Sequence, residues 1–253
     1  MKNQIIIPLN QSNNARYKAE VRTCVPAEAR ADISTYKSCF VGISLENPSF
    51  IGSKLASIVD WISNRFSDCT FLLGDNVHRL TLQIRKDLGA EDSLNHALGL
   101  GDYYLRTHQH ILKNTKTGKP FKVIRGAEIY DNCSVIKYHE ALQTLFKEQE
   151  SFREAVRGFA RQFILRAESF DILATENAVN LSCRYVLEEL AETCYMISLG
   201  HNTLVYPGSL AIFEQISEGC FVGLPKELDK LVNIGLRLKR RGKKPVAQPL
   251  SAS

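Results

Sequence analysis

Apolar residues follow two patterns along the chain: short unbroken runs, and longer stretches where they recur three or four positions apart. The run SCFVGIS at 38–44 predicts a strand closing on glycine and a small polar residue, and DCTFLLGD at 68–75 predicts a second. Their apolar centres are continuous rather than alternating, as expected of parallel strands covered on both faces. KPFKVIR at 119–125, residues 202–206 and the short stretch 221–224 are further candidate strands. Between them, Leu55, Ile58, Val59 and Ile62 mark a helix over 54–66. Helical spacing recurs over 77–88, 91–112, 135–168 (broken or loosened near Gly158), 177–199 and 209–217. Residues 1–31 read as polar and irregular, with one extended piece at 5–7. Strands separated by helices predict an α/β fold: an open, mostly parallel sheet with helices on both faces. Three segments follow: an irregular 1–31, a single domain over 32–236, and a basic, flexible tail at 237–253.

The length of 253 residues suits one sizeable core. A composition 44% hydrophobic and 23% charged is that of an ordinary globule. The net charge of +5 is mild, so its placement matters more than its total. The seven cysteines stand singly, with no CxxC pair and no zinc-like spacing to histidine. No metal is therefore expected. The apolar stretch near the N-terminus is too short for a signal core or a membrane span, so reduced thiols, a cytoplasmic location and no membrane are expected.

In open parallel sheets ligands sit beyond the carboxyl ends of the strands. Ser44, Gly74 and Tyr206 all fall at such ends. Ser44 follows an apolar strand, and Gly42 would let a substrate approach the backbone closely. A serine so placed acts as a nucleophile if its proton is removed. It is not a hydrolase elbow, since GxSxG is absent, and the alternative is a serine that merely caps the next helix. Tyr185 and Glu189 lie four apart on a helix and so share a face. A carboxylate against an apolar helix wants a cationic partner, and an α-ammonium group would serve. The alternative is a solvated glutamate beside a packed tyrosine, with Glu188 as the rival carboxylate. Tyr206 could relay a proton at the pocket mouth or simply pack. Arg106, Lys113, Lys116, Lys119, Lys122 and Arg125 fall in a stretch without Asp or Glu, suited to RNA phosphates. A second basic run spans Arg237 to Lys244, and a solvated face would explain either.

In order and spacing, VGIS with Ser44, the strand-end Gly74-Asp75, the Tyr185/Glu189 pair and Tyr206-Pro207 resemble the tRNA-dependent cyclodipeptide synthases. The likeness spans about 40–224. That family is similar to the catalytic domain of class I aminoacyl-tRNA synthetases, and neither an HIGH-like nor a KMSKS-like motif occurs here. The resemblance implies a Rossmann-like three-layer domain and synthesis of a 2,5-diketopiperazine from two aminoacyl-tRNAs, without cofactor. It implies Ser44 as the nucleophile, Tyr185 and Glu189 as holders of the amino group, and Tyr206 as the tyrosine that positions substrate and assists proton transfer. Phe40, Gly42, Asn47 and Gly74 would line the substrate pocket, and Tyr130 or Tyr138 would supply a further tyrosine. Pro207 after the late tyrosine implies the Tyr-Pro subgroup, although Asn47 is more typical of the other subgroup. A monomer is admitted, with the oligomeric state left open. The rival classes are a serine hydrolase or acyltransferase acting on small activated esters, and a non-catalytic RNA-binding protein. A dinucleotide enzyme is disfavoured, because no GxGxxG follows the first strand.

Overall fold

In the strand β2 (Ser38–Ile43) alternate side chains part to opposite faces of the sheet, and both faces are apolar. Phe40 joins one core, whereas Cys39, Val41 and Ile43 join the other. The strand β3 (Asp68–Leu73) divides in the same way, Leu72 against Cys69, Phe71 and Leu73. Burial on both sides explains the unbroken apolar runs. The computed structural model describes residues 17–31, 33, 35–166 and 176–241.

Six strands form one sheet in the order β1-β6-β5-β2-β3-β4. The others are β1 (Tyr17–Val25), β4 (Lys122–Arg125), β5 (Thr203–Pro207) and β6 (Val232–Arg240). All neighbours pair in parallel except β1 and β6. The helices α1 (Gly52–Ser63) and α3 (Ala90–His108) cover one face with Leu55, Ile58, Ile62 and Tyr104. On the other face lie α5 (Cys133–Glu148), α6 (Glu150–Arg166), α7 (Glu176–Ser198) and α8 (Ala211–Ser217), through Leu142, Val156, Leu190 and Phe213. Helix α2 (Asp75–Lys86) packs against both α3 and α7, and the single turn α4 (Gly126–Ile129) follows β4. The result is the three-layer, mostly parallel α/β architecture expected from the sequence. No described helix is long and apolar enough to cross a membrane.

Four local expectations need correction. Residues 17–25 are not irregular but form β1, whose charged, half-exposed alternation hides it in the sequence. Residues 237–240, assigned to the flexible tail, continue β6 and pair with 17–20. Their charges face outward, and Arg237 and Lys239 meet Glu20. Residues 221–224 are not a strand. Gly219 and Gly223 take φ of 72° and 78°, so the chain turns twice, and Phe221 packs edge-on against Phe152. The long helix neither breaks nor loosens at Gly158. It breaks at Gln149, which is extended between α5 and α6. The expected piece at 5–7 and the chain beyond 241 lie outside the described residues.

Candidate active site

The period of two in the strands builds the site. Phe40 faces the α7 side, so Gly42 and Ser44 continue that line toward the strand tip. On β3 the matching line is Leu72 and then Gly74, and Leu204 of β5 stands beside Phe40. These residues line one recess, together with Tyr185, Glu189 and Glu192 of α7. A Cβ at Gly42 would meet nothing within 4 Å, so the glycine leaves open space there. At Gly74 a Cβ would lie 3.3 Å from the Ile43 carbonyl oxygen and 3.2 Å from Val77, a tight fit between β2 and α2. The recess opens into a cavity of about 710 Å³ beyond the strand tips, lined by Ser44, Asn47, Tyr185, Glu189, Tyr206 and Pro207 among others. The fold brings five of the sequence candidates, Ser44, Asn47, Tyr185, Glu189 and Tyr206, to this cavity.

Ser44 Oγ lies 3.1 Å from the Tyr206 hydroxyl, and Asn47 Nδ2 donates to that hydroxyl at 3.2 Å. Asn47 has a second task. Its Oδ1 accepts from the Ser49 backbone N–H at 2.9 Å, capping the 3-10 turn Pro48–Phe50. Helix α1 starts after Ile51 without a side-chain cap, so Ser44 caps no helix and its hydroxyl is left to the cavity. The Tyr206 ring packs edge-on against Phe50 at 5.7 Å, which fixes the direction of its hydroxyl. Glu46, between these residues, holds a left-handed φ of 62°.

Tyr185 and Glu189 stand one turn apart on α7, as the spacing predicts. Burial raises the Glu189 carboxyl to about 7. Burial, then the nearby Glu189, pushes the Tyr185 phenol well above its usual range, and a hydrogen bond with Ser44 works the other way. The Tyr185 ring stacks on Phe163 of α6 at 6.2 Å. The rival carboxylate is engaged elsewhere: Glu188 receives both Arg79 nitrogens, at 2.7 and 2.8 Å, and Arg184 Nε at 2.8 Å. It ties α7 to α2, whereas Glu189 faces the cavity.

Arg106, Lys113, Lys116, Lys119 and Lys122 are exposed around the end of α3 and the approach to β4, the sheet's edge strand. Arg125 departs from that set. Its guanidinium holds Asp75 and Asp102 and donates to the Leu98 carbonyl at 3.2 Å, so it braces α2, α3 and β4. Tyr130 is exposed on the surface and Tyr138 packs against the α7-side core, and neither lines the cavity. Several cavity residues were missed. His78, Thr81 and Arg85 make a polar line along α2, and His78 Nε2 lies 3.4 Å from Glu46 Oε2. Their spacing of three, four and seven inside an amphipathic helix was the available signal. Burial opposes ionisation of Glu46, but its partner His78 prevails and lowers its carboxyl. Arg22 reaches the rim from β1 at the point where its register with β6 shifts. Among the described residues no cluster of three or more His, Cys, Asp or Glu side chains could hold a metal ion.

Fold and site together define an α/β enzyme with a serine at the strand tips of a Rossmann-like sheet, clasped by residues of one helix. The family model for cyclodipeptide synthases matches residues 26–224, and the chain belongs to that family. A cyclodipeptide synthase from Fluoribacter dumoffii is similar over 90% of this chain and 100% of its own, at 25% identity and a TM-score of 0.77. A Mycobacterium tuberculosis protein, whose structure relates cyclodipeptide synthetases to type I tRNA synthetases, shares the fold at 14% identity over 95% of this chain and 100% of its own, with a TM-score of 0.64. A synthase from Candidatus Glomeribacter gigasporarum bound to Phe-tRNAPhe shares it at 19% identity over 85% and 92%, with a TM-score of 0.61. Comparison with curated proteins by sequence gave no match.

Proposed function

We propose that this cyclodipeptide synthase joins two aminoacyl-tRNAs by ping-pong catalysis through esters on Ser44. The observation that carries this reading is the Ser44 hydroxyl, 3.1 Å from the Tyr206 hydroxyl at the mouth of a cavity walled by Tyr185 and Glu189. An aminoacyl-tRNA is already an activated ester, so no ATP is needed. Ser44 Oγ attacks the first carbonyl carbon, the bond to the tRNA ribose oxygen breaks, and that oxygen takes up the proton released by the serine. Glu189 and Tyr185 hold the α-ammonium of the aminoacyl-serine. The deprotonated amine of the second aminoacyl-tRNA displaces Ser44 Oγ from the first acyl group. The resulting dipeptide, still esterified to tRNA, passes back to Ser44 as the second tRNA leaves. Its free amine then attacks the remaining ester and closes the six-membered ring.

The peptide link must become cis for closure, against a preference of about 2.5–4 kcal/mol. A site gripping both ends of the dipeptidyl group offsets that strain through orientation. Tyr206, which meets Asn47 and Phe50, relays the serine proton in this reading. Phe40, Gly42 and Gly74 shape the space for the first acyl group. Arg106, Lys113, Lys116, Lys119 and Lys122 serve as phosphate contacts for the tRNA. The Phe-tRNA complex of the Glomeribacter synthase supports the choice of substrate class.

The test is to supply a mixture of charged tRNAs without ATP and identify the products by mass. Diketopiperazines are the expected products. Release of free amino acids alone would make the protein a hydrolase of activated esters.

A further inference from the structure

The recess beneath Ser44 is small, about 20 Å³, with room for roughly one water-sized group. Most of its wall is hydrocarbon, from Phe40, Leu72, Leu204 and Phe213. Two carboxyl groups break that wall, those of Glu189 and Glu192. Glu192, three residues beyond Glu189 on α7, is only 3% exposed and lines the recess. Among the described residues no hydrogen-bond donor meets its carboxyl group. Two of the carboxylates near it are paired: Glu188 has Arg79 and Arg184, and Asp75 has Arg125. Gly126 leaves Glu192 its place, since a Cβ there would lie 2.8 Å from Oε1.

A buried carboxyl group without a partner destabilises the fold, and a leucine of similar size would pack there without that penalty. Burial, then Glu189, Glu188 and Asp75, raises its carboxyl well above the usual range. Such a group is satisfied when a ligand supplies the missing donor. Resting on the synthase reading above, we propose that Glu192 is a specificity-determining residue, receiving a first aminoacyl group whose side chain ends in a hydrogen-bond donor. A neutral amide or hydroxyl would bind the carboxylic acid through its carbonyl oxygen. An ammonium would bind it as the carboxylate, giving Glu189 and Glu192 one cation each.

The test mixes the wild-type protein with the full set of charged tRNAs and identifies, by mass, the aminoacyl group attached to Ser44. We expect a donor-terminated residue, accepted at least about a hundredfold better in kcat/KM than leucine or phenylalanine. Glu192→Leu should reverse that order and raise the melting temperature. Glu192→Gln separates the two chemistries: it keeps an amide- or hydroxyl-bearing substrate, and loses a cationic one by at least about tenfold. Attachment of hydrocarbon side chains alone would overturn the proposal, as would a preference unchanged in Glu192→Leu. The wild-type adduct decides the matter alone if Glu192→Leu does not fold. Absence of any adduct or cyclic product with every charged tRNA would overturn the synthase reading itself, a result distinct from an adduct of the wrong kind.

Discussion

Glu189 carries two opposed demands. It must be ionised to hold an α-ammonium, yet burial raises its carboxyl to about 7 from an ordinary 4.5. Capture of the first aminoacyl group, read as kcat/KM, should therefore rise with pH through about 7, because that ratio reports the free enzyme. Glu189→Gln should flatten this limb and slow capture by roughly thirtyfold or more, the effect of losing one partner of a buried charged pair. Stability should move the other way. A carboxyl raised on folding contributes stability below its unfolded value and loses it as pH climbs to the folded one. Glu189→Gln should match the wild type below about pH 4.5 and exceed it by roughly 3 kcal/mol above pH 7 in denaturant titrations. Equal stability at all pH values would contradict the burial argument. At this scale the sequence indicates which side of α7 matters, since residues four apart share a face. It does not reveal that Glu192, three further on, is buried without a partner. That depends on the glycine at 126, supplied by a distant segment.

Among the elements, α7 is the pivot, and the Arg79–Glu188 pair locks it against α2 with both side chains nearly buried. Arg79→Met should destabilise the fold by about 3–5 kcal/mol, because it leaves the buried carboxylate only the half-exposed Arg184. Adding Glu188→Leu should recover much of that loss, and urea titration of the three variants reads both effects. The elements most legible in the sequence were those whose environment is uniform. β2 and β3 read clearly because both faces are covered. α1 and α7 read clearly because one apolar stripe repeats. β1 escapes the pattern because it is the antiparallel edge strand, where many side chains meet water, and β6 because Asn233 and Gly235 interrupt its buried half and charges fill the rest. The break at Gln149 left no mark, since the residues on either side are good helix formers and no proline or glycine intervenes. Conversely FVGL at 221–224 has a strand's composition, but two left-handed glycines bend it.

At the scale of the molecule, the parallel sheet gathers at one edge what the chain keeps far apart: Ser44 and Tyr206 are 162 residues distant in sequence and 3.1 Å apart in space. Their convergence was legible as a shared topological position, the carboxyl ends of strands. The missed cavity residues Arg22, His78 and Arg85 depend on the β1 register shift and the facing of α2, which local pattern does not specify. Charge is also arranged at this scale. The lysines at 113, 116 and 119 precede β4, whereas Ser44 follows a parallel strand, so a bound tRNA would have to extend along the sheet edge. Replacing the three with glutamine should weaken tRNA binding and reduce the slope of log K against log salt by about 2–3, with single-turnover chemistry at saturation unchanged. The whole account turns on one covalent bond. Protein mixed with charged tRNA and quenched in acid should gain the mass of one aminoacyl group, located by peptide mapping to Ser44 and absent in Ser44→Ala. An adduct that persists in Ser44→Ala, or that maps to another residue, would contradict it.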